Sequence, residues 1–428
     1  MKLRDFEKLV SLYEKASPTG PERAAQLSDP VPFLQFINRA LDKRIQVDDF
    51  GVLQPWAIAA IAALGTTSLG RRVFVQNAHS TPPAQFAGAL GLDDLLSGDR
   101  VHGLAEKGRT VKLVNVSRYE EIEPVSMEIS ELVFSDQPGT NSSDYIDVEE
   151  VKKTIRYVMI ELLRNVIQHS NYPQGAIILA QRMDKYEQPF IQIAVADCGI
   201  GIFDSLRVTH VDIETPAVAL ERSIWPYFSG KFHQGEKGAA QNAGLGLFFV
   251  SEMAKLSGGR LLISSRGASL LIQGDPNALG INKIQEFGEG FEGTLVAFEL
   301  PKRGVADYDA LIAKITQLAR GRAARREETR WLRFDIPPKD SLEYIISIAS
   351  ENTVIAEEFS RKELLPRILN RQVLVLNFCN MKICTQSYLH AILFEAVRVS
   401  HALQVPLFIK QTSPSVRDGI HLVEMYAL

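Results

Sequence analysis

The stretch ELLRNVIQHS constrains this chain more than any other. Around it, apolar residues recur at Ile155, Val158, Met159, Leu162, Leu163 and Val166, the spacing of a helix with one face packed on a core. Glu161, Asn165 and His169 follow one another at intervals of four. Each such step advances about 400°, so the three form one polar strip that drifts by roughly 40° per step beside the apolar face. An acid and an amide one turn apart suit a hard cation such as Mg²⁺ and an activated water or hydroxyl. A solvated helix face gives the same strip, so the stretch needs support from elsewhere in the chain.

Composition narrows the classes. The chain has 428 residues, 46 % of them hydrophobic, enough for two to three domains with ordinary cores. A formal charge of −4 gives no global attraction to nucleic acid or anionic membrane. Cys198, Cys379 and Cys384 have neither the number nor the spacing of a disulfide framework or a zinc site. The N-terminal MKLRDFEKLVSLYEKAS has surface-helix periodicity and no secretory apolar region. The longest apolar run, around Ala57 to Leu64, is too short to span a bilayer. A cytoplasmic protein without a membrane segment is expected.

Residues 1 to 140 read as an α/β unit: a short strand at Ile45 to Phe50, the alanine-rich helix WAIAAIAAL, the strand RRVFVQN, the helix PPAQFAGALGLDDLL and the strand TVKLVNV. The isolated His79 and His102 read as surface or loop residues. Ser135 to Asp147 is a polar boundary rich in N-cap residues. Beyond the polar helix, GAIILAQRM and PFIQIAVAD form a hairpin ending in DCGIGI, a D-x-G-x-G pattern at Asp197, Gly199 and Gly201. A carboxylate at a strand end followed by glycines permits a sharp turn and close backbone approach to a ligand. A long segment, Phe203 to Ala243, then carries Gly230, Lys231, His233, Gly235, Lys237 and Gly238, and reads as a lid. It closes on NAGLGLFFVSEMAKLSGG, where Gly244 and Gly246 open a helix whose amides suit phosphate. LLISS and GTLVAFELP supply two more strands.

In this order and spacing, Glu161 with Asn165, then DCGIGI, then GLGL, then GTLVAFELP resemble the GHKL ATPase superfamily of DNA gyrase, sensor histidine kinases, anti-sigma-factor kinases and MORC proteins. The resemblance covers about residues 145 to 301 and implies an α+β sandwich, within a domain spanning 141–303, that binds ATP with Mg²⁺. It implies Glu161 as the general base and Asn165 as the Mg²⁺ ligand. Asp197 would accept from the adenine amino group, with Gly199 and Gly201 making room. Gly244, Leu245 and Gly246 would wrap the phosphates, Thr294 would close the adenine end, and Lys231 or Lys237 would reach the γ-phosphate from the lid. No separate helix carries the H-E-x-x phosphoacceptor of a sensor histidine kinase. His169 falls where a pocket wall is expected.

Residues 304–334 read as a basic, solvated helical linker bearing Arg320, Arg322, Arg325, Arg326, Arg330 and Arg333. Glu327 and Glu328 interrupt the cluster and no aromatic pattern accompanies it, so nucleic acid is not the expected partner. Residues 335–428 read as a third α/β module, with QVLVLNF, YLHAILFEAVRVSHAL and PLFIKQ as a parallel crossover. LNFCNMKICTQSYLHAI resembles the strand-to-helix core of STAS domains, and the element order of residues 1–140 is loosely similar to that fold too. A gapless match puts the family's strand-end Asp on Asn377 and its phosphorylated serine on Gln386. Ser387, one place later, is the candidate phosphoacceptor, weighed against an ordinary helix-start serine.

The expectation is thus a central ATP-binding domain flanked by two smaller α/β modules. It would be a regulatory ATPase whose lid closes on Mg-ATP and controls protein partners through the flanking modules, with slow hydrolysis and a nucleotide-dependent homodimer as one mode of assembly. Two alternatives remain open at this point: a protein serine/threonine kinase of the anti-sigma type, and a nucleotide-sensing scaffold without chemistry.

Overall fold

The computed structural model describes residues 24–40, 45–46, 52–67, 74–75, 81–97, 109–132, 148–184, 186–208, 210, 213–226, 228, 245–274, 283–302, 305, 307–322, 331–346 and 352–427. In chain order, the elements that position the site are α1 (Pro55–Gly65), β1 (Thr110–Val116), α2 (Ile122–Ser130), α3 (Val148–His169), β2 (Ala176–Met183), β3 (Phe190–Asp197), α4 (Gly201–Arg207), α5 (Pro216–Ser223) and α6 (Gly246–Ser257). They continue with β4 (Arg260–Ser265), β5 (Ala268–Gln273), β6 (Lys283–Phe287), β7 (Thr294–Pro301), α7 (Tyr308–Arg322), β8 (Leu332–Arg333), β9 (Leu342–Ile345), β10 (Leu374–Asn377), α8 (Gln386–Leu403), β11 (Leu407–Lys410) and α9 (Pro414–Ala427). The protein is mixed α/β: its described residues form a seven-stranded antiparallel sheet, a four-stranded parallel sheet and two short two-stranded parallel pairs.

The antiparallel sheet has seven strands in the order β6-β5-β4-β7-β3-β2-β1. Its strands read as nearly unbroken apolar runs because both faces are covered. Ile178, Ala180, Ile193, Val195, Ile263 and Phe298 point into one core with α3 and α6. Their neighbours Ile177, Leu179, Ala194, Ala196, Leu262, Leu295 and Ala297 point into a second core with α1. Period-two alternation is thus present in direction but hidden in composition. Every residue of α1 is buried, as a helix apolar all round must be. Alanines on α1 and on the facing strands let helix and sheet approach closely. A buried polar chain pins the helix start: Gln192 accepts from the Trp56 amide at 3.0 Å and donates to Glu299 at 2.9 Å, and Glu299 accepts from Arg260 at 2.8 Å.

The boundary expected at residue 140 is therefore crossed by the sheet. The run TVKLVNV is β1, an edge strand paired antiparallel with β2, and α2 packs on α3. The strand expected at residues 45 to 50 is described only at Ile45–Gln46, paired in parallel with Phe74–Val75, and His79 and His102 lie outside the described residues.

The linker at 304–334 also differs from expectation. Its helix α7 buries Tyr308, Ile312, Ile315 and Ala319 in the α3/α6 core and packs along α9, so it joins the two sheet systems as a packed element. Arg325, Arg326 and Arg330 lie outside the described residues. The C-terminal sheet has the order β8-β11-β10-β9, all parallel, and the crossover from β10 through α8 to β11 is the one expected from the sequence. Ile383 and Leu422 from this region enter the α3/α6 core. Among the described residues, no helix is long and apolar enough to cross a membrane.

Candidate functional site

Helix α3 runs for 22 residues across the sheet. Its polar strip is graded: Glu161 is fully buried, while Asn165 and His169 are half-buried and line a pocket. The pocket is also lined by Asp197 at the end of β3, by Gly201 at the start of α4, by Thr294 at the start of β7, by Leu245 and Gly246 at the start of α6, and by Ser387 at the start of α8.

Asp197 closes one end. It ends β3 opposite Thr294 in the antiparallel register and is only 2 % exposed. Its Oδ1 accepts from the Gly199 amide at 2.8 Å. Burial pushes its carboxyl up to about 7, against the opposing pull of that amide and of the Arg266 guanidinium. A donor arriving from a ligand would favour the ionised form, so this acid is primed to accept a hydrogen bond. The turn after it is tight. A Cβ on Gly199 would sit 2.1 Å from the Ser170 carbonyl oxygen, and Gly201 has φ +80° with Ser265 Oγ 2.8 Å from where its Cβ would be. These glycines bring the turn against the end of α3 and against β4, which is what aims Asp197 into the pocket.

Glu161 stands at the other end. A Cβ on Gly246 would lie 2.3 Å from Glu161 Oε2 and 3.8 Å from Asn165 Nδ2. The glycine that opens α6 therefore admits the helix start to the polar strip. That start has no side-chain cap and lines the pocket through Leu245, Gly246 and Leu247, which sets the positive end of the helix dipole beside it. The Ser387 hydroxyl donates to Glu161 Oε2 at 3.3 Å. Arg164, also buried, donates to Thr385 Oγ1 at 2.6 Å and lies 3.7 Å from Glu161 Oε1. Further along α3, Gln168 donates to Thr353 at 2.6 Å. One face of α3 is thus held against the C-terminal module by three polar contacts.

The segment expected as a single lid loop is partly helical. The short helices α4 and α5, with Leu206, Ile213 and Ala219 in a small core of their own, form a wall of the pocket through Ile202, Ser205, Leu206 and Ser223. Phe228 completes that wall. Lys231, Lys237 and Gly244 lie outside the described residues.

Sequence reasoning singled out neither Arg164 nor the pairing of Ser387 with Glu161. An arginine inside the apolar run of α3 was the available signal, since a buried guanidinium needs a partner. Among the described residues no cluster of three or more His, Cys, Asp or Glu converges on a metal position. A Mg²⁺ held mainly by phosphates needs few protein oxygens, and the Asn165 amide beside an acid and a helix N-terminus fits that role. No family model matches the chain, and neither a curated protein nor a solved structure matches it significantly.

Proposed function

We propose that the protein binds Mg-ATP in this pocket as a regulatory ATPase of GHKL type, with a STAS-like C-terminal module as its output. The observation that carries the reading is the convergence of Asn165, Asp197, Gly201, Gly246 and Thr294, from separate sequence motifs, on one pocket beside the buried Glu161. Asp197 would take the adenine amino group, and the amides at the start of α6 would meet the phosphates. Asn165 would hold Mg²⁺, which supplies neutralising charge on the phosphates when bound. Glu161 would take the proton from the attacking hydroxyl or water.

The route from nucleotide to partner runs through α3. Glu161, Arg164 and Gln168 contact the C-terminal module from the same helix that brings Asn165 and His169 into the pocket, so nucleotide occupancy would bear on how that module is held. Protein partners would then read the module's position, and slow turnover would reset it. One contact, Ser387 on Glu161, favours a second reading in which the acceptor is a hydroxyl rather than water.

The test separates metal from nucleotide. Titration of ATP with and without Mg²⁺ on wild type and Asn165→Ala should show that the variant loses the Mg²⁺-dependent part of the affinity and keeps the rest. Equal Mg²⁺ dependence in both proteins would overturn the assignment of Asn165.

A further inference from the structure

Strand β9 ends the parallel sheet on one side, and among the described residues no strand pairs with its outer edge. On the inner edge, the Leu342 amide donates to the Val373 carbonyl oxygen at 3.1 Å. The Ile346 amide does the same to the Asn377 carbonyl oxygen at 2.8 Å. Alternate residues of a parallel strand bond to opposite sides, so Glu343 and Ile345 turn their N–H and C=O groups outward. Such an edge is a template for another strand unless a charge, a proline or a bulge guards it.

The one charge on β9 does not guard it. Glu343 is drawn onto its own sheet, accepting from Asn377 Nδ2 at 2.7 Å and from Lys410 Nζ at 3.0 Å. Tyr344 points the other way, into the module's core, where its ring meets that of Phe359 at 5.3 Å. Ile345 is left 61 % exposed and Leu342 38 %. Nine large apolar side chains are exposed among the described residues, and six of them (Ile336, Leu342, Ile345, Val354, Ile355 and Leu369) belong to this module. The apolar surface available to a partner is therefore concentrated here rather than on the central domain. Charge selects the kind of partner. Lys410 balances Glu343 on one face of the strand, and Arg367, 3.7 Å from Glu363, balances it beside Tyr344 on the other. Balanced pairs on both faces suit a surface that carries the same pairs, and not an acidic or a basic peptide.

We propose that β9 is a self-association edge: it pairs antiparallel with β9 of a second copy, about a twofold axis through Tyr344. In this register Glu343 exchanges both backbone hydrogen bonds with Ile345 of the second copy, and the twofold repeats the exchange. Every outward N–H and C=O of the strand then has a partner. Each carboxylate lies opposite an apolar side chain, whereas an axis through Glu343 would oppose two carboxylates. Tyr344 meets its own copy as a non-hydrogen-bonded pair, with Cα atoms about 4.5 Å apart. The two parallel sheets become one continuous sheet, and the edge disappears. The contact lies on the C-terminal module and needs no nucleotide, so it stands apart from the reading of the pocket.

The experiment follows the mass of the full chain by sedimentation as its concentration is raised, with no nucleotide present. Wild type should move to twice the monomer mass. Ile345→Pro removes an outward N–H and leaves the β9–β10 bonds in place, and Ile345→Lys sets a charge on the contact. Both should stay monomeric where wild type is dimeric, and both should melt like wild type when all are dilute. A second measurement fixes the register. With the exposed Cys379 changed to serine, Tyr344→Cys should form a disulfide with its own copy under mild oxidation, whereas Ile345→Cys should not. A wild type that stays monomeric, a dimer that survives both Ile345 variants, or a folded Tyr344→Cys protein that forms no disulfide would each overturn the proposal. If Ile345→Pro fails to fold, Ile345→Lys and the disulfide still decide it.

Discussion

At one end of the pocket, Asp197 is set by contacts inside the central sheet: the register of β3 with β7, the turn against Ser170, and Ser265 behind Gly201. At the other end, Glu161 meets Ser387 from 226 residues further along the chain. The first end is built by one folding unit and should behave as a preformed receptor. The second exists only while the C-terminal module is docked. On the proposed reading, recognition would be local, whereas chemistry would depend on how two regions are held together. Disturbing each end separately should expose this division.

The largest expected effect is at the shared end. Glu161→Gln keeps the shape but removes the proposed base, so ATP turnover should fall by about 10²–10⁴-fold with nucleotide affinity little changed. Steady-state kinetics beside a binding titration reads the split. A matching loss of affinity would mean that the two ends are not separable.

Gly246→Ala tests the tight seat of α6 on α3. The added methyl must displace Glu161, 2.3 Å away, in a packed interior, which should cost about 1–3 kcal/mol of stability and also reduce turnover. Thermal unfolding and turnover measured together check this; unchanged values in both would mean that the helix start is more loosely held than the structure has it.

Thr385→Val should have the smallest effect. It removes the cap of α8 and the acceptor for Arg164, at about 0.5–2 kcal/mol. Hydrogen exchange should rise at the α3/α8 contact while nucleotide affinity at the Asp197 end stays as in wild type. A fall in affinity would break the comparison.

Much of the local end was legible in the sequence. The strip on α3, the β2–β3 hairpin and the glycines after Asp197 all announce themselves through short-range spacing. The shared end was not, because Arg164 to Thr385 and Glu161 to Ser387 are pairings between distant residues that no local pattern encodes. The covering of the sheet's second face by α1 was missed for a related reason. Apolar strands say that both faces are buried but not by what. Helix α5 did leave a signal, since Thr215 followed by Pro216 is a cap with proline in the first turn, and its side chain accepts from the Val218 amide at 3.3 Å. The length of the segment outweighed that signal. Helix α7 was read from its charges, while its buried stripe of Tyr308, Ile312 and Ile315 decided its packing.

The most direct measurement is a pH-resolved titration of Mg-ATP into wild type and Asp197→Asn. Burial raises the folded value of the Asp197 carboxyl to about 7, above the ordinary 3.8. Its contribution to stability is therefore complete below the unfolded value and lost as pH rises through about 7. An adenine amino donor favours the ionised form, so wild-type affinity should rise with pH until about 7 and level off above it. Comparison with the variant cancels the titration of the nucleotide's own phosphates. Asp197→Asn should bind about 10- to 150-fold more weakly at pH 8, matching a loss of roughly 1.5–3 kcal/mol, with the extra pH dependence gone and folding intact. Equal affinity and equal pH dependence in the two folded proteins would contradict the nucleotide site itself.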